Sequence, residues 1–257
     1  MRYLPLIALA ALLLNVPSAR ALDCAEEPFE GTTYSVCRVD LRLDDLRLWH
    51  LGEGGQPFYS LGQVADRVAG TGASLSFGMN AGMYHEDRAP VGLLVIDGEA
   101  TGRLITRAGP GNFGLVPNGV FCWGRGRAAV IESRTFARKK PRCRWATQSG
   151  PMLVIGGKLH PKFGPNSTSR YVRNGVGVTR DGRTAVFAMS RSRVNFHSFA
   201  RFFRDRLKTP NALYLDGNVS RIYAPSIGRK DRGGRFGPIV GVVLPKPPPI
   251  PVPKPER

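Results

Sequence analysis

Residues 174–218 read NGVGVTRDGRTAVFAMSRSRVNFHSFARFFRDRLKTPNALYLDGN. Two apolar runs, 176–179 and 184–189, flank Arg180-Asp181-Gly182-Arg183. The Asp-Gly pair tolerates the positive φ that a tight hairpin turn requires, so this stretch predicts a β-hairpin. Downstream, Phe196, Phe199, Ala200, Phe203 and Leu207 recur at i, i+3, i+4, i+7 and i+11. That spacing predicts a helix with a buried aromatic face. Asn195 or Ser198 is placed to cap it, and Pro210 ends it. Residues 212–215 then predict a short buried strand. Strand, helix and strand of this length predict a right-handed βαβ crossover, hence a partly parallel sheet. Asp216 would lie at the carboxyl end of the last strand, where open α/β sheets place ligands.

Working outward, residues 58–68 carry Leu61, Val64, Ala65 and Val68 at helical spacing, with Gly70 as a stop. Residues 73–79 predict a strand that runs into Asn80-Ala81-Gly82. Residues 91–96 predict another, turned by Asp97-Gly98 toward Leu104-Ile105. Residues 116–123 and 128–131 predict a hairpin, as do 152–155 and 158–159 across Gly156-Gly157. The fold class expected is α+β or mixed α/β. It would have a mixed sheet with hairpins, at least one βαβ crossover, and helices packed on the sheet.

The 257 residues hold enough apolar side chains, 42%, for one large domain with its own core. The ends differ from the rest. Arg2 precedes an apolar run over 4–16, followed by Ala19 and Ala21 at A-x-A spacing. The run is too short to span a bilayer and reads as a signal peptide over 1–21. The expected domain is then 22–244. Residues 245–257 hold seven prolines and predict an extended, disordered tail. Export to a bacterial periplasm or beyond lets cysteines pair. Four cysteines allow three connectivities. Nearness in sequence favours Cys24 with Cys37 and Cys122 with Cys143, against free buried thiols. No membrane segment is expected after signal removal.

The formal charge of +18, with 37 basic residues of which 29 are arginine, favours an anionic partner. A solubilising surface is the plainer reading. Exported chains without a helix-turn-helix are poor nucleic-acid binders, so no nucleic-acid partner is expected. The chain lacks G-x-S-x-G, H-E-x-x-H and a P-loop, and four histidines scarcely supply a metal site. No cofactor or metal is expected, with a divalent cation left open. What remains is a set of Gly- and Asn-rich corners at strand ends, where glycine permits close backbone approach to a ligand. They are Asn80-Ala81-Gly82-Met83-Tyr84, Asn118-Gly119, Gln148-Ser149-Gly150-Pro151, Arg173-Asn174-Gly175 and Asp216-Gly217-Asn218.

These corners, with Pro90-Val91-Gly92-Leu93, Gly111-Asn112-Phe113 and Arg170, occur in the order found in the phosphodiester glycosidase domain. The chain resembles that family over about residues 75–225, most of all its small exported bacterial members. The family includes enzymes that remove N-acetylglucosamine from a sugar phosphodiester. Two departures stand out: Arg173-Asn174 where uncovering-type members show Arg-Thr, and Asn218-Val219 where they show a Gly-rich stretch.

The resemblance implies a glycoside hydrolase acting on a carbohydrate or phosphoglycan. Asp216 is the expected essential carboxylate and Glu86 the candidate second one. Arg170 and Arg173 suit phosphate, since a guanidinium can hold two oxygens. Asn80 and Asn218 suit sugar hydroxyls, with Gly82 and Gly217 allowing close approach. His85 and His197 are further acid/base or phosphate candidates. The rival expectation is a non-catalytic binder of anionic envelope polysaccharide using the same cleft.

Overall fold

The computed structural model describes residues 22–217 and 219–245; the expected signal peptide, Asn218 and residues 246–257 of the proline-rich tail lie outside them. Strands β1 (Asp23–Phe29) and β2 (Thr32–Asp40) open the chain as a hairpin, followed by β3 (Asp45–Trp49). Helix α1 (Leu61–Ala69) is capped by Ser60, whose hydroxyl accepts the Gln63 N–H, and leads to β4 (Ser74–Asn80). The short pair β5 (Leu94–Ile96) and β6 (Glu99–Thr101) precedes β7 (Gly119–Gly124) and β8 (Arg127–Glu132). Helix α2 (Ser133–Lys139) connects to β9 (Trp145–Ser149). Then come β10 (Met152–Ile155), β11 (Lys158–Leu159), β12 (Asn174–Val178) and β13 (Thr184–Ser190). Helix α3 (Phe196–Arg201), β14 (Asn211–Asp216), β15 (Ile222–Ala224), β16 (Arg229–Lys230) and β17 (Ile239–Leu244) complete the described chain.

The strands form three antiparallel sheets. The first runs β1-β2-β13-β12-β14-β10-β11, the second β16-β15-β4-β17-β3, the third β6-β5-β9-β7-β8. One apolar core lies between them, built from Val176, Phe187 and Leu213 of the first sheet, Phe77 and Val242 of the second, and Phe121 and Trp123 of the third. Period-two alternation assigns each strand its two faces. In β14, Leu213 and Leu215 face this core, while Ala212 and Tyr214 face the layer under α3. Helix α1 covers the second sheet through Leu61, Val64 and Val68, and α2 sets Phe136 against the third. Disulfides join Cys24 to Cys37 across β1 and β2, and Cys122 on β7 to Cys143 in the segment that leads into β9. These are the two sequence-local pairs.

The late segment differs from expectation in one respect. The Asp-Gly hairpin forms, with Asp181 Oδ1 accepting from Thr179 Oγ1 and the Arg183 N–H. The expected parallel pairing does not. Strands β13 and β14 flank β12, and both run antiparallel to it. They share a direction without touching, so the helical connection steps over a strand. The helix also departs from regularity. Asn195 caps α3, but residues Phe202–Arg206 widen to a π-type turn, with Leu207 N–H bonded to Phe202 O. The wider turn buries two consecutive aromatics: Phe202 stacks on Tyr34 at 3.8 Å and Phe203 meets Phe199 edge-on at 5.2 Å. Leu104-Ile105 is not the strand expected after Asp97-Gly98. β6 ends at Thr101, and the Gln148 amide instead pairs with Ile105 N–H and C=O.

His160, after β11, is buried, with Nδ1 accepting the Lys162 N–H at 3.2 Å and Nε2 lying 3.1 Å from Val116 O. Burial holds its pKa below the ordinary imidazole value, with the nearby Lys162 charge adding to this and the Val116 bond opposing it. The unfolded chain therefore binds a proton near pH 6.5 that the folded chain refuses. His160's contribution to stability is fully present above that pH and is lost as pH falls below it. Urea midpoints should drop between about pH 7 and pH 5, and His160→Gln should flatten that segment. An unchanged slope in the variant would remove His160 as its source.

Candidate active site

Strands β4, β9 and β14 each end at the same edge of the core, one from each sheet, and β12 begins there. Backbone groups at strand ends lack ladder partners, and buried ones need substitutes. Here side chains supply them. Asn174 Nδ2 donates to Asn80 O at 2.9 Å and to Asn80 Oδ1 at 3.1 Å, tying the first sheet to the second. Asn174 Oδ1 accepts the Asp216 N–H at 2.9 Å. Ser149 Oγ donates to Leu215 O at 2.9 Å, and Thr147 Oγ1 to Ala81 O at 2.9 Å, bringing in the third sheet.

Asp216 sits in the middle of this knot, 7% exposed. Its Oδ1 accepts the Gly217 N–H at 2.6 Å, and its Oδ2 is 3.4 Å from Asn80 Nδ2. The carboxylate borders a pocket of about 560 Å³ lined by Met83, Tyr84, Arg88, Val91, Asn112, Ser169, Tyr171, Tyr214, Asp216, Gly217 and Val219. Asp216 is the one acidic side chain among those lining residues. Its neighbours register its charge: the Tyr84 hydroxyl is pushed above its ordinary pKa by burial first and by Asp216 second. Tyr214 is raised as well, chiefly by burial, with Arg173 opposing and Asp216 adding to the rise. Both tyrosines therefore stay protonated at neutral pH and can donate hydrogen bonds.

Arg173 is wholly buried beneath the pocket, its guanidinium 3.6 Å from the Phe196 ring centre and within 5.4 Å of the Tyr171 and Tyr214 rings. Its Nε donates to Val194 O and one terminal nitrogen to Ser169 O, while Nη1 is buried without a hydrogen-bond partner. Burial depresses its pKa, and the Tyr214 and Tyr171 hydroxyls resist that. Arg88 lies at the pocket itself, 5.3 Å from the Tyr84 ring centre.

The expected site residues thus separate. Asp216 and Gly217 line the pocket, and Asn80 stands directly behind Asp216, fully buried, its Oδ1 also accepting the Arg221 N–H. Gly82 is buried where a Cβ would come 3.1 Å from Thr147 Oγ1, which lets the end of β4 close against β9. Arg170 is exposed, and its charge is felt at Tyr34 on β2 rather than among the lining residues. Glu86 and His85 are exposed on the turn before Arg88, and His197 lies on α3; none lines the pocket. Among the described residues no group of three or more His, Cys, Asp or Glu could hold a metal ion. Sequence reasoning missed Arg88, the three tyrosines, and Asn174 as the bridging amide. Tyr84, Asn174 and Tyr214 all stand inside or beside corners already singled out, so the signal was adjacent.

Gly217 explains itself through Tyr214. A Cβ there would lie 1.9 Å from the Tyr214 hydroxyl oxygen, and Tyr214 is buried and cannot yield. Gly217→Ala should therefore lower the melting temperature, and adding Tyr214→Phe should recover part of the loss; additive effects would mean that the two do not touch. Asn174→Ala should destabilise by about 1–3 kcal/mol in urea titrations, since it orphans buried Asp216 and Asn80 groups. An unchanged midpoint would show that the bridge carries no stability.

A profile of the phosphodiester glycosidase family matches residues 73–233. The uncharacterized protein YigE of Escherichia coli K12 is 32% identical over 218 residues, 84% of each chain. The zebrafish N-acetylglucosamine-1-phosphodiester alpha-N-acetylglucosaminidase catalytic domain, auto-inhibited by its pro-peptide, has a similar fold: TM-score 0.58 at 13% identity, covering 88% of this chain and 84% of that one. A candidate exported protein of Burkholderia pseudomallei K96243 aligns with TM-score 0.54 at 12% identity, over 83% of this chain and 74% of its own. On the family match and the extent of the bacterial relationship, this chain belongs to the phosphodiester glycosidase family.

Proposed function

We propose that this chain is an exported hydrolase that cleaves the glycosidic bond between a sugar and a phosphodiester in a cell-envelope or extracellular glycan. The observation that carries the reading is the lone carboxylate of Asp216 at the edge of a pocket whose other polar lining is tyrosine, serine, asparagine and arginine. Ordinary glycosidases need a second carboxyl group to protonate a departing alkoxide. A phosphate leaves as a weakly basic anion, so positive charge and hydrogen-bond donors serve in its place.

In this reading Asp216 acts at the anomeric carbon, by attacking it or by taking a proton from the attacking water. The bond from that carbon to the phosphate oxygen breaks, and the phosphate keeps the electron pair. Arg88 meets the phosphoryl oxygens at the pocket, and the buried charge of Arg173 supports the same side from below. Tyr84, Tyr171 and Tyr214 donate to sugar or phosphate oxygens. Asn80 becomes a positioning residue for Asp216 rather than a sugar contact, because its amide is already bonded to Asp216 and Asn174. The sequence-stretch 1–21 and the two disulfides support a periplasmic or secreted setting.

Incubation with sugar-1-phosphodiester model compounds should release free sugar. Asp216→Asn should lower that release on the order of a thousandfold, about 4 kcal/mol of barrier, with the fold intact by circular dichroism. Wild-type rates in that variant would take Asp216 out of the chemistry. Saturable, salt-sensitive binding without sugar release would replace the hydrolase with a polysaccharide binder.

A further inference from the structure

The outer faces of the three sheets are not equally covered. Helix α1 closes the second sheet with three buried apolar side chains, and the aromatic segment around α3 closes the first. Helix α2 spans seven residues and contributes a single buried apolar side chain, Phe136. Beside it a groove of about 630 Å³ stays open on the third sheet. Leu93, Val95, Leu104 and Phe136 form its floor, with Cys143 anchored there by the second disulfide. Lys140 and Arg142 stand at its rim. A neighbouring depression of about 440 Å³ shares Leu104 and adds Arg103 and Arg107.

The two charged side chains that line this groove, Lys140 and Arg142, are both basic. Residues 133–144 contain Arg134, Arg138, Lys139, Lys140, Arg142 and Arg144, and neither Asp nor Glu. Among the described residues, only Arg144 of these is in an ion pair, with Asp97 at 2.6 Å. The carboxylate of Glu132 is engaged at the start of α2, accepting the Arg134 and Thr135 N–H groups. Glu99 on β6 is the remaining acid nearby in sequence, and it is exposed. A glycan would leave the apolar floor wet, and a nucleic acid has no hydrocarbon to place there. A molecule with a hydrocarbon chain and an anionic head satisfies both parts.

We propose that this groove binds an anionic phospholipid at a bilayer surface, one acyl chain lying against Leu93, Val95, Leu104 and Phe136 and the phosphate against Lys140 and Arg142. The site is separate from the Asp216 pocket and does not depend on any hydrolytic activity. Val91 lines that pocket and Leu93 the groove, so the short segment between them would connect a lipid-bound face to the candidate active site.

The test is co-sedimentation of the protein with vesicles of phosphatidylglycerol mixed into phosphatidylcholine, and with phosphatidylcholine alone. Binding should be at least about tenfold tighter to the anionic vesicles. Lys140→Glu with Arg142→Glu should weaken it about tenfold, whereas Lys158→Glu with Lys208→Glu, the same charge change beside the seven-stranded sheet, should cost less than about threefold. Leu104→Gln should weaken it about fivefold at unchanged net charge, because the chain loses part of its floor. Ala100→Gln, an exposed groove position on β6, serves the same purpose if Leu104→Gln does not fold. Equal binding to both vesicle types, equal losses in the two charge variants, or no loss on interrupting the apolar floor would each overturn the proposal.

Discussion

The amide of Asn174 is the constraint on which the rest of the candidate site depends. It donates to the backbone and side chain of Asn80 and accepts from the backbone of Asp216, so one side chain joins two sheets at the point where their strands end. Strand ends buried against one another would otherwise leave N–H and C=O groups without water or ladder partners, at a cost of about 1–3 kcal/mol each. Ser149 and Thr147 perform the same service for the third sheet. The consequence is a carboxylate whose backbone is pinned and whose oxygens are met by Gly217 N–H and Asn80 Nδ2. In the proposed reaction, preorganisation of this kind would hold the carboxylate in place without reorganisation.

Around that carboxylate the pocket is built from hydroxyls and cations rather than a second acid. Tyr84 and Tyr214 remain protonated because burial and the Asp216 charge both oppose ionisation. Arg173 contributes from beneath the surface, its guanidinium held against Phe196 and flanked by Tyr171 and Tyr214. Gly217 belongs to the same arrangement, since any side chain there would occupy the position of the Tyr214 hydroxyl. The pocket chemistry and the packing layer under α3 are therefore one structure: Tyr214 belongs to both.

Much of the local structure was legible because it follows from short-range rules. The Asp181-Gly182 turn, the Ser60-capped helix and the β7–β8 hairpin formed where turn chemistry and periodicity put them. The aromatic helix was legible in position but not in shape, because periodicity alone does not require consecutive Phe202 and Phe203 both to be buried. Helix α2 was missed: its seven residues are mostly polar and show too little apolar repeat. The parallel pairing was expected because strand, helix, strand usually places the two strands side by side. Here β12 occupies the space between them, a choice made by long-range pairing that no local window contains.

By itself, the order of the polar corners determined the family, and it marked an Asp-Gly at a strand end, where the structure sets the Asp216 carboxylate at the edge of the pocket. Each corner is a short contiguous motif whose residue types are set by backbone geometry, and the order of the corners is read directly along the chain. Which arginine reaches the pocket was decided by the tertiary structure. Arg170 and Arg173 are three residues apart, yet one points to solvent near β2 and the other is buried under the tyrosines, while Arg88 arrives from a distant turn. The reason is physical: side-chain direction depends on the face and sheet to which each strand end is assigned. That assignment is made by the shared core of three sheets and by the asparagine bridge that closes it.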